Sequence, residues 1–344
     1  MPDATYTTEV QGLDLERLGA FLREARPGLV AGELRAALIA GGRSNLTYDV
    51  TDGHDCWVVR RPPLGHVLAT AHDMSREHRV ISALEPTDVP VPRTYVLCED
   101  PDVLGAPFYV MEKVGGTPYR YAHQLEPLGA ERTRQICLQM MDTLAALHEV
   151  DPEEVGLGDF GRPAGFLGRQ VKRWKRQLDA SHSRDLAGAD ELHSYLEAHL
   201  PEESAPGVVH GDYRLDNLLV DDSGRVTAVL DWEMATVGDP LTDIALLVAY
   251  RRIADSHGGD AVASAPHAPG FLTDEEMLAR YAERSGRDLS AMGFYLALAY
   301  FKYGVILEGI HYRYTQGQTV GAGFEKVGRL VEPTFAAGLA SLKD

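Results

Sequence analysis

The chain has 344 residues, 44% of them hydrophobic and 24% charged, a composition typical of a globular protein long enough for two domains. Its formal net charge of −18 would repel nucleic-acid phosphates, which argues against a nucleic-acid partner. We expect a cytoplasmic protein without a membrane partner, because the chain shows no bilayer-length apolar stretch, no signal-peptide pattern at its start and no metal-binding spacing among its cysteines, Cys56, Cys98 and Cys137.

The first 112 residues favour a small, strand-rich domain. Apolar runs bounded by turn residues predict strands at 45–50, 56–60, 94–99 and 108–112. Between the second and third of these strands, residues 70–84 carry Met74, Val80, Ile81 and Leu84 at helical spacing, which predicts an amphipathic helix.

The rest of the chain is predicted to form a larger and mainly helical domain. Segment 113–118 contains two glycines and is interpreted as a hinge. The stretches "ERTRQICLQMMDTLAALHEVD" and "FLGRQVKRWKRQLDA" are amphipathic, and the pattern is helical again from Asp274. We therefore predict an α+β fold with a nucleotide-binding domain at 1–112 and a catalytic and substrate-binding domain at 119–344, forming a cleft.

A polar run between two apolar stretches carries the strongest chemical signal. "VVHGDYRLDNLLVDD" (208–222) continues into "SGRVTAVLDWE", which predicts a hairpin that ends by presenting Asp231. Asp212, Asn217 and Asp231 then lie at the ends of short segments, near one another. A proton acceptor with carboxylate and amide oxygens suits Mg-assisted phosphoryl transfer, with Asp212 as the base and with Asn217 and Asp231 as metal ligands. The spacing H-x-D-x₄-N, followed by a strand-borne Asp, matches the kinase catalytic arrangement.

These motifs resemble those of a known family. "HGDYRLDNLLV", "VLDWE" and "GDPLTDIA" are similar to the catalytic, metal-binding and following-helix motifs of the aminoglycoside phosphotransferase family. "GGRSNLTYDV", "RRPPLGHVLATAHDM", "PDVLGAPFYVME" and "FLGRQVKRW" resemble more narrowly the subgroup that includes the kinase domain of the acyl-CoA dehydrogenase 10/11 type proteins. The resemblance covers nearly the whole chain and implies a protein-kinase-like bilobal fold, ATP and Mg²⁺ as cofactors, and a hydroxylated small-molecule acceptor.

The phosphate-binding loop departs from the kinase pattern. "GGRSNLTY" (41–48) is shorter than a GxGxxG loop. Gly42 still allows close backbone approach, and Ser44 and Asn45 can donate to phosphate oxygens. The alternative is an ordinary glycine turn.

The phosphate-anchoring cation of the first domain cannot be a lysine, because the first lysine in the chain is Lys113. Arg60 continues an apolar strand and is the predicted replacement, whereas Arg61 precedes Pro62 and is expected to leave the strand. Glu77 is the predicted ion-pair partner of Arg60; the alternative is a solvated helical charge. Two further nucleotide contacts are expected beside the hinge, at Glu112 and Val114.

Three polar residues are given supporting roles. His148 closes an amphipathic helix, so we expect a packed, hydrogen-bonded histidine rather than a catalytic one. His210 is expected to brace the catalytic loop. Asp243 is expected to hold that loop through its backbone amides.

The acceptor site is the least determined part of the prediction. "RQVKRWKRQ" (169–177) is a basic cluster that is either a solvated helix face or a docking surface for an anionic acceptor such as a coenzyme A thioester, through Arg169, Arg173 and Arg176. His311 in "EGIHYRYTQGQ" is a further candidate for the acceptor pocket.

The sequence thus predicts an ATP- and Mg-dependent kinase that phosphorylates a hydroxyl group, preferably of a hydroxyacyl-CoA or hydroxy acid. Two alternatives stay open. One is the phosphorylation of an aminoglycoside or another antibiotic, since an acidic chain suits a cationic sugar. The other is a nucleotide-binding regulatory protein without transfer activity, since the anchoring lysine is missing.

Overall fold

The computed structural model describes residues 5–39, 45–64, 73–181, 184–257, 263–319 and 323–343. The helices are α1 (Leu15–Ala25), α2 (Met74–Leu84), α3 (Pro101–Leu104), α4 (Ala122–Leu125), α5 (Ala130–Glu149), α6 (Phe166–Ser181), α7 (Ala189–Ala198), α8 (Leu241–His257), α9 (Asp274–Ser285), α10 (Met292–Thr315) and α11 (Val331–Ala340). The strands are β1 (Arg35–Leu38), β2 (Leu46–Thr51), β3 (Cys56–Arg61), β4 (Thr94–Cys98), β5 (Phe108–Glu112), β6 (Gly207–Val209), β7 (Leu218–Val220), β8 (Val226–Val229) and β9 (Thr236–Gly238). Within these ranges, no helix combines the length and the apolar character needed to span a membrane.

The chain divides into two compact units. One comprises Met1–Pro118 with Asn217–Ala235, and the other comprises Tyr119–Asp216 with Thr236–Asp344. The first break follows the predicted hinge 113–118. The sequence placed all of 119–344 in one domain, whereas the structure groups the β7–β8 hairpin with the first unit. Backbone hydrogen bonds explain this grouping, because Val229 N donates to Pro90 O at 2.8 Å and Thr117 N donates to Val220 O at 2.9 Å.

The first unit is built on a five-stranded sheet in the order β1-β2-β3-β5-β4, with every neighbouring pair antiparallel. This sheet and the mainly helical remainder confirm the predicted α+β fold class. The predicted strand 108–112 is β5 itself. The predictions for β3 and β4 differ by one residue at one end, and the prediction for β2 is shifted by one residue at both ends. Strand β1 was not predicted. Apolar side chains from α1 and the sheet, including Leu18, Tyr48, Val59 and Val110, form a buried core.

Helix α2 carries a charged residue on its buried face. The prediction of a helix at 70–84 is corrected at its start, because Asp73 caps the helix by accepting hydrogen bonds from Ser75 N and Arg76 N, and the helix begins at Met74. Residues 70–72 lie outside the described part of the chain. The four apolar residues that predicted this helix are all buried, and Glu77 is buried with them.

The second unit holds most of the helices and one short strand pair. Helices α5 and α6 correspond to the two amphipathic stretches found in the sequence. Strands β6 and β9 pair antiparallel, with Val208 opposite Val237. The chain leaves β6 at Val209 and enters the "HGDYR" loop directly.

Candidate active site

Two adjacent arginines of β3 have separate surroundings because successive side chains of a strand point to opposite faces. Arg60 lies opposite Tyr109 of β5 in the sheet register. Arg61 is 5% exposed and donates to the carbonyl oxygens of Gly12 at 2.5 Å and Leu104 at 2.8 Å. The expectation that Arg61 leaves the strand was therefore wrong: β3 includes it, and its guanidinium is buried among carbonyl groups of the protein.

Arg60 bridges two carboxylates of the first unit. Its Nε lies 2.8 Å from Glu77 Oε2, and its Nη2 lies 2.5 Å from Asp231 Oδ1. The Glu77 side chain is 2% exposed, whereas that of Asp231 is 31% exposed. Burial alone would lower the pKa of Arg60, but the charge of Glu77, together with that of Asp231, outweighs it and raises this pKa. The predicted pair of Arg60 and Glu77 is thus present in the fold, with Asp231 as a third member.

Three donors converge on the buried Glu77 carboxylate. Besides Arg60, the Tyr109 hydroxyl donates to Oε2 at 2.9 Å and Asn45 Nδ2 donates to Oε1 at 3.0 Å. Burial raises the pKa of Glu77 to about 7, and Arg60 is the largest influence that opposes this rise. Because the three neighbouring groups are donors, they favour the ionised carboxylate. The buried position excludes the alternative of a solvated helical charge at Glu77.

The two predicted metal ligands lie at the open end of the β7–β8 hairpin. Asn217 directly precedes β7, and Asp231 follows β8 by two residues. The amide of Leu230 donates to the carbonyl oxygen of Asn217 at 2.8 Å, which fixes the two chain segments against each other. Asp231 has φ = 65°, a left-handed conformation that no other non-glycine residue of the described ranges adopts. Such strain is found preferentially at functional sites.

The donor chemistry at the hairpin end suits a magnesium ion. Mg²⁺ binds oxygen ligands and commonly takes only one or two carboxylates from a protein, with water and phosphate completing the shell. Asp231 uses Oδ1 for Arg60, and no described residue hydrogen-bonds its Oδ2. Among the residues that the structure describes, no group of three or more His, Cys, Asp or Glu could enclose a metal. Asn217 and Asp231 are the residues that would hold the ion.

The remaining nucleotide contacts stay predictions, and the structure describes three of the five residues, Asn45, Glu112 and Val114. Asn45 was expected to donate to phosphate oxygens, but its amide is directed instead at Glu77 and, at 3.4 Å, at Glu233 Oε2. Glu112 accepts from the backbone amide of Arg93 at 3.2 Å. Val114 is half-buried in the segment after β5. The other two candidates lie outside the described residues: Gly42 and Ser44.

In the second unit, one aspartate anchors the loop that carries Asp212. Asp243, at the start of α8, accepts hydrogen bonds from the amides of His210 at 2.6 Å and Gly211 at 2.8 Å. Gly211 has φ = 84°, a conformation that glycine adopts without strain. The amide of Asp212 donates to His210 Nδ1 at 3.2 Å. These contacts agree with the supporting roles expected for His210 and Asp243.

His148 supports Asp243 from the buried side. Its Nε2 lies 3.3 Å from Asp243 Oδ2, and its Nδ1 lies 2.7 Å from the Tyr281 hydroxyl. Burial lowers the pKa of His148, which favours a neutral ring that donates to Asp243 and accepts from Tyr281. Burial would raise the pKa of Asp243, but the hydrogen bond from His148 leads the influences that lower it overall. His148 is a packed, hydrogen-bonded histidine, as expected.

The Asp212 carboxylate has neighbours that sequence reasoning missed. The Tyr250 hydroxyl donates to Asp212 Oδ1 at 3.2 Å, and Arg214 Nε lies 3.6 Å from the same oxygen. Arg214 also lies over the Tyr250 ring, 5.1 Å from its centroid, and pairs with Asp216 at 2.9 Å. Lys302 of α10 donates to the carbonyl oxygen of Gly211 at 3.1 Å. Two features of the sequence could have indicated these neighbours. Arg214 lies inside the catalytic motif, and Lys302 is a single charge within an apolar helix.

Three of the four predicted acceptor residues border one surface groove. On α6, Arg173 and Arg176 line a surface groove of about 700 Å³ with His193 and Glu197 of α7. We call this surface the α6 groove. Arg169 also borders this groove, but its guanidinium donates to the carbonyl oxygens of residues 162 and 164. His311 packs against Gly328, whose absent side chain leaves room for the imidazole ring.

Comparison with known proteins identifies the family of the chain. The profile of the phosphotransferase enzyme family (APH) matches residues 35–295, about three quarters of the chain. The chain belongs to this family. Acyl-CoA dehydrogenase family member 11 of Gallus gallus is 34% identical over 348 residues, covering 98% of this chain and 44% of that protein. Family member 10 of Mus musculus is 34% identical over 345 residues, covering 96% of this chain and 31% of that protein. The chain thus spans less than half the length of these two relatives.

Solved structures support the family assignment and the fold. A Ralstonia eutropha JMP134 protein named as a candidate aminoglycoside phosphotransferase superposes with a TM-score of 0.84 at 33% identity, covering 98% of each chain. The aminoglycoside phosphotransferase APH(4)-Ia, in a ternary complex with AMP-PNP and hygromycin B, gives a TM-score of 0.60 at 18% identity, covering 94% of this chain and 98% of that one. The family and the subgroup expected from the sequence motifs are both confirmed. The phosphotransferase family is also consistent with the expected kinase chemistry.

Proposed function

We propose that this phosphotransferase-family chain is an ATP- and Mg-dependent kinase that transfers a phosphoryl group to a hydroxyl of a small molecule. The observation that carries the proposal is Arg60, whose guanidinium contacts both Glu77 and Asp231 in the first unit. Protein kinases anchor nucleotide phosphates with a strand cation that pairs with a helix glutamate, next to an aspartate that binds the metal.

The first unit supplies the phosphate-binding and metal-binding groups. Arg60 binds phosphate oxygens, and Glu77 keeps its guanidinium aligned. Asn217 and Asp231 are the residues that would hold Mg²⁺. When bound, Mg²⁺ neutralises charge that develops on the phosphates.

The second unit supplies the base. Asp212 accepts the proton of the acceptor hydroxyl as its oxygen bonds to the γ-phosphorus. The bond from that phosphorus to the bridging β–γ oxygen breaks, and ADP leaves. Tyr250 donates to Oδ1 of Asp212, which orients the carboxylate for this step.

For the acceptor, we favour a hydroxyacyl-CoA or a related hydroxy acid. The α6 groove offers cationic side chains for phosphate groups of such a molecule, since Arg173 and Arg176 line it. Relatives named as acyl-CoA dehydrogenase family members add to this preference. A cationic aminoglycoside would be repelled by the same groove.

The proposal is tested by measuring ADP release with the purified chain, ATP and Mg²⁺ across a panel of hydroxyacyl-CoAs, hydroxy acids and aminoglycosides. Phosphorylated products are identified by mass spectrometry. Asp212→Asn is the negative control, and we expect it to lower turnover by about 10²- to 10⁴-fold while nucleotide affinity is kept.

Each outcome is decisive for one part of the proposal. Turnover with aminoglycosides alone would leave the kinase activity standing and overturn the preferred acceptor. ATP binding without transfer to any acceptor, and without an effect of Asp212→Asn, would identify a regulatory nucleotide-binding protein instead.

A further inference from the structure

One lysine stands out in the second unit because it interrupts an apolar helix. From Met292 to Leu307, helix α10 contains no ionisable acid or base other than Lys302, apart from tyrosines. An ammonium group in such surroundings loses hydration and needs compensating partners. Burial accordingly lowers the pKa of Lys302, against the opposing charges of Asp212 and Asp243.

The protein provides little of that compensation. Lys302 Nζ donates to the carbonyl oxygen of Gly211 at 3.1 Å. This is its one hydrogen bond to the described residues, and none of their carboxylates forms an ion pair with it. A lysine ammonium has three donors, so two remain for another partner. Asp243 of α8, one of the two acids whose charges act on Lys302, is already used by the amides of His210 and Gly211.

Lys302 lies near residues of both the catalytic loop and the basic surface of α6. Its Nζ lies 5.7 Å from the centroid of the Trp174 ring, and the guanidinium carbon of Arg173 lies 5.4 Å from the same centroid. Arg173 lines the α6 groove, while the backbone carbonyl that Lys302 contacts directly precedes Asp212. Lys302 thus contacts the residue that precedes the proposed base and shares the Trp174 ring with a residue of the groove.

We propose that Lys302 binds an anionic oxygen of the acceptor, so that the acceptor carries a carboxylate or a phosphoryl group close to the hydroxyl that Asp212 deprotonates. This inference rests on the proposed function and narrows its substrate class. Hydrogen-bonding Gly211 alone does not require a charge, since a neutral donor can also donate to a carbonyl oxygen. A full cation beside the base is explained by an anion that binds it.

The experiment compares matched acceptors in Lys302→Met, which keeps an unbranched side chain but removes the charge. The acceptor pairs are 3-hydroxybutyrate with 1,3-butanediol, and glycerol 3-phosphate with glycerol. Lys326→Met, at an exposed lysine of the turn Phe324–Arg329, is the control. We expect kcat/KM for the preferred anion to fall at least about tenfold in Lys302→Met, the effect of one lost charge-assisted hydrogen bond. For the matched uncharged acceptor, kcat/KM should change less than about threefold in Lys302→Met. Lys302→Arg should restore part of the kcat/KM lost with the anion.

The two anions separate the two sources of charge: loss with 3-hydroxybutyrate identifies a carboxylate, and loss with glycerol 3-phosphate identifies a phosphoryl group. Equal losses for charged and uncharged acceptors would overturn the inference, because Lys302 would then act by positioning the loop. Unchanged kinetics for both anions would overturn it as well.

A binding measurement separates this inference from the proposed function. The protein is saturated with AMP-PNP and Mg²⁺, and each anion is titrated by calorimetry. Wild type and Lys326→Met should bind at least one anion about tenfold more tightly than Lys302→Met does. If this holds while no acceptor is phosphorylated, the kinase proposal fails and the anion site stands. If phosphoryl transfer occurs but the three proteins bind anions alike, or wild type binds neither, the anion site is refuted.

Discussion

The neighbouring arginines of β3 allow a test in which two similar substitutions should have different effects. Arg60→Met removes the cation that contacts Glu77 and Asp231. Arg61→Met removes a buried cation that donates to Gly12 and Leu104. Methionine keeps an unbranched apolar side chain in both variants, so the comparison isolates the guanidinium group.

The expected magnitudes follow from the contacts. A hydrogen bond to a charged group contributes about 1.5–3 kcal/mol, so losing the contact of Arg60 with phosphate should weaken ATP binding roughly 10- to 150-fold. Arg61→Met leaves two carbonyl oxygens without their donor and should cost about 3 kcal/mol of folding free energy, or roughly 4 °C in Tm for a chain of this length. ATP affinity of folded Arg61→Met should stay within about threefold of wild type, since this arginine faces away from Glu77.

The measurements are titration with a fluorescent ATP analogue in the presence of Mg²⁺ and thermal denaturation of the same samples. A double variant, Arg60→Met with Glu77→Gln, controls for the carboxylate that loses its cation. If Arg61→Met weakened nucleotide binding as strongly as Arg60→Met, or if neither did, the assignment of Arg60 as the phosphate anchor would be refuted.

Three further predictions concern the hairpin, the groove and Glu77. Asp231→Asn keeps the shape of the residue and tolerates its positive φ, so it should lower affinity for Mg-ATP at least about tenfold but hardly affect metal-free ATP; equal losses in the two titrations would argue against a metal ligand. Replacing Arg173 and Arg176 by Ala should raise the KM for a hydroxyacyl-CoA several-fold, more at low salt, with the KM for ATP unchanged; an unaffected KM would leave the groove as a solvated face. Burial raises the pKa of Glu77 from 4.5 to about 7, so the folded chain binds this proton more tightly than the unfolded chain does. The stabilisation from the bound proton is therefore lost as the pH rises from about 5 through 7. Glu77→Gln should remove that loss, at most about 3 kcal/mol, in urea denaturation at a series of pH values; an unchanged pH profile would contradict the raised pKa.

The chemistry of the catalytic segment was readable because it depends on short-range order. H-x-D-x₄-N and the following hairpin occupy 22 consecutive residues, His210 to Asp231, and turn residues at Asp221 and Gly224 fix their local geometry. Likewise, the spacing of apolar residues was enough to place α2, and the apolar run before Arg60 was enough to choose it, although the expectation that Arg61 leaves the strand was wrong. The family resemblance rests on the same local motifs.

Only the tertiary structure decided which distant residues contact the side chains of the site. Tyr250 reaches Asp212 across 38 positions, and Lys302 reaches Gly211 across 91. The amide of Asn45 is used by Glu77, 32 positions away, and Arg61 is buried against carbonyl groups instead of leaving its strand. No local pattern encodes such pairs, because they depend on which helix and strand faces pack together. The sequence by itself therefore determined the local motifs and the residues that carry their chemistry. Packing of distant elements determined which charged and polar groups contact those residues.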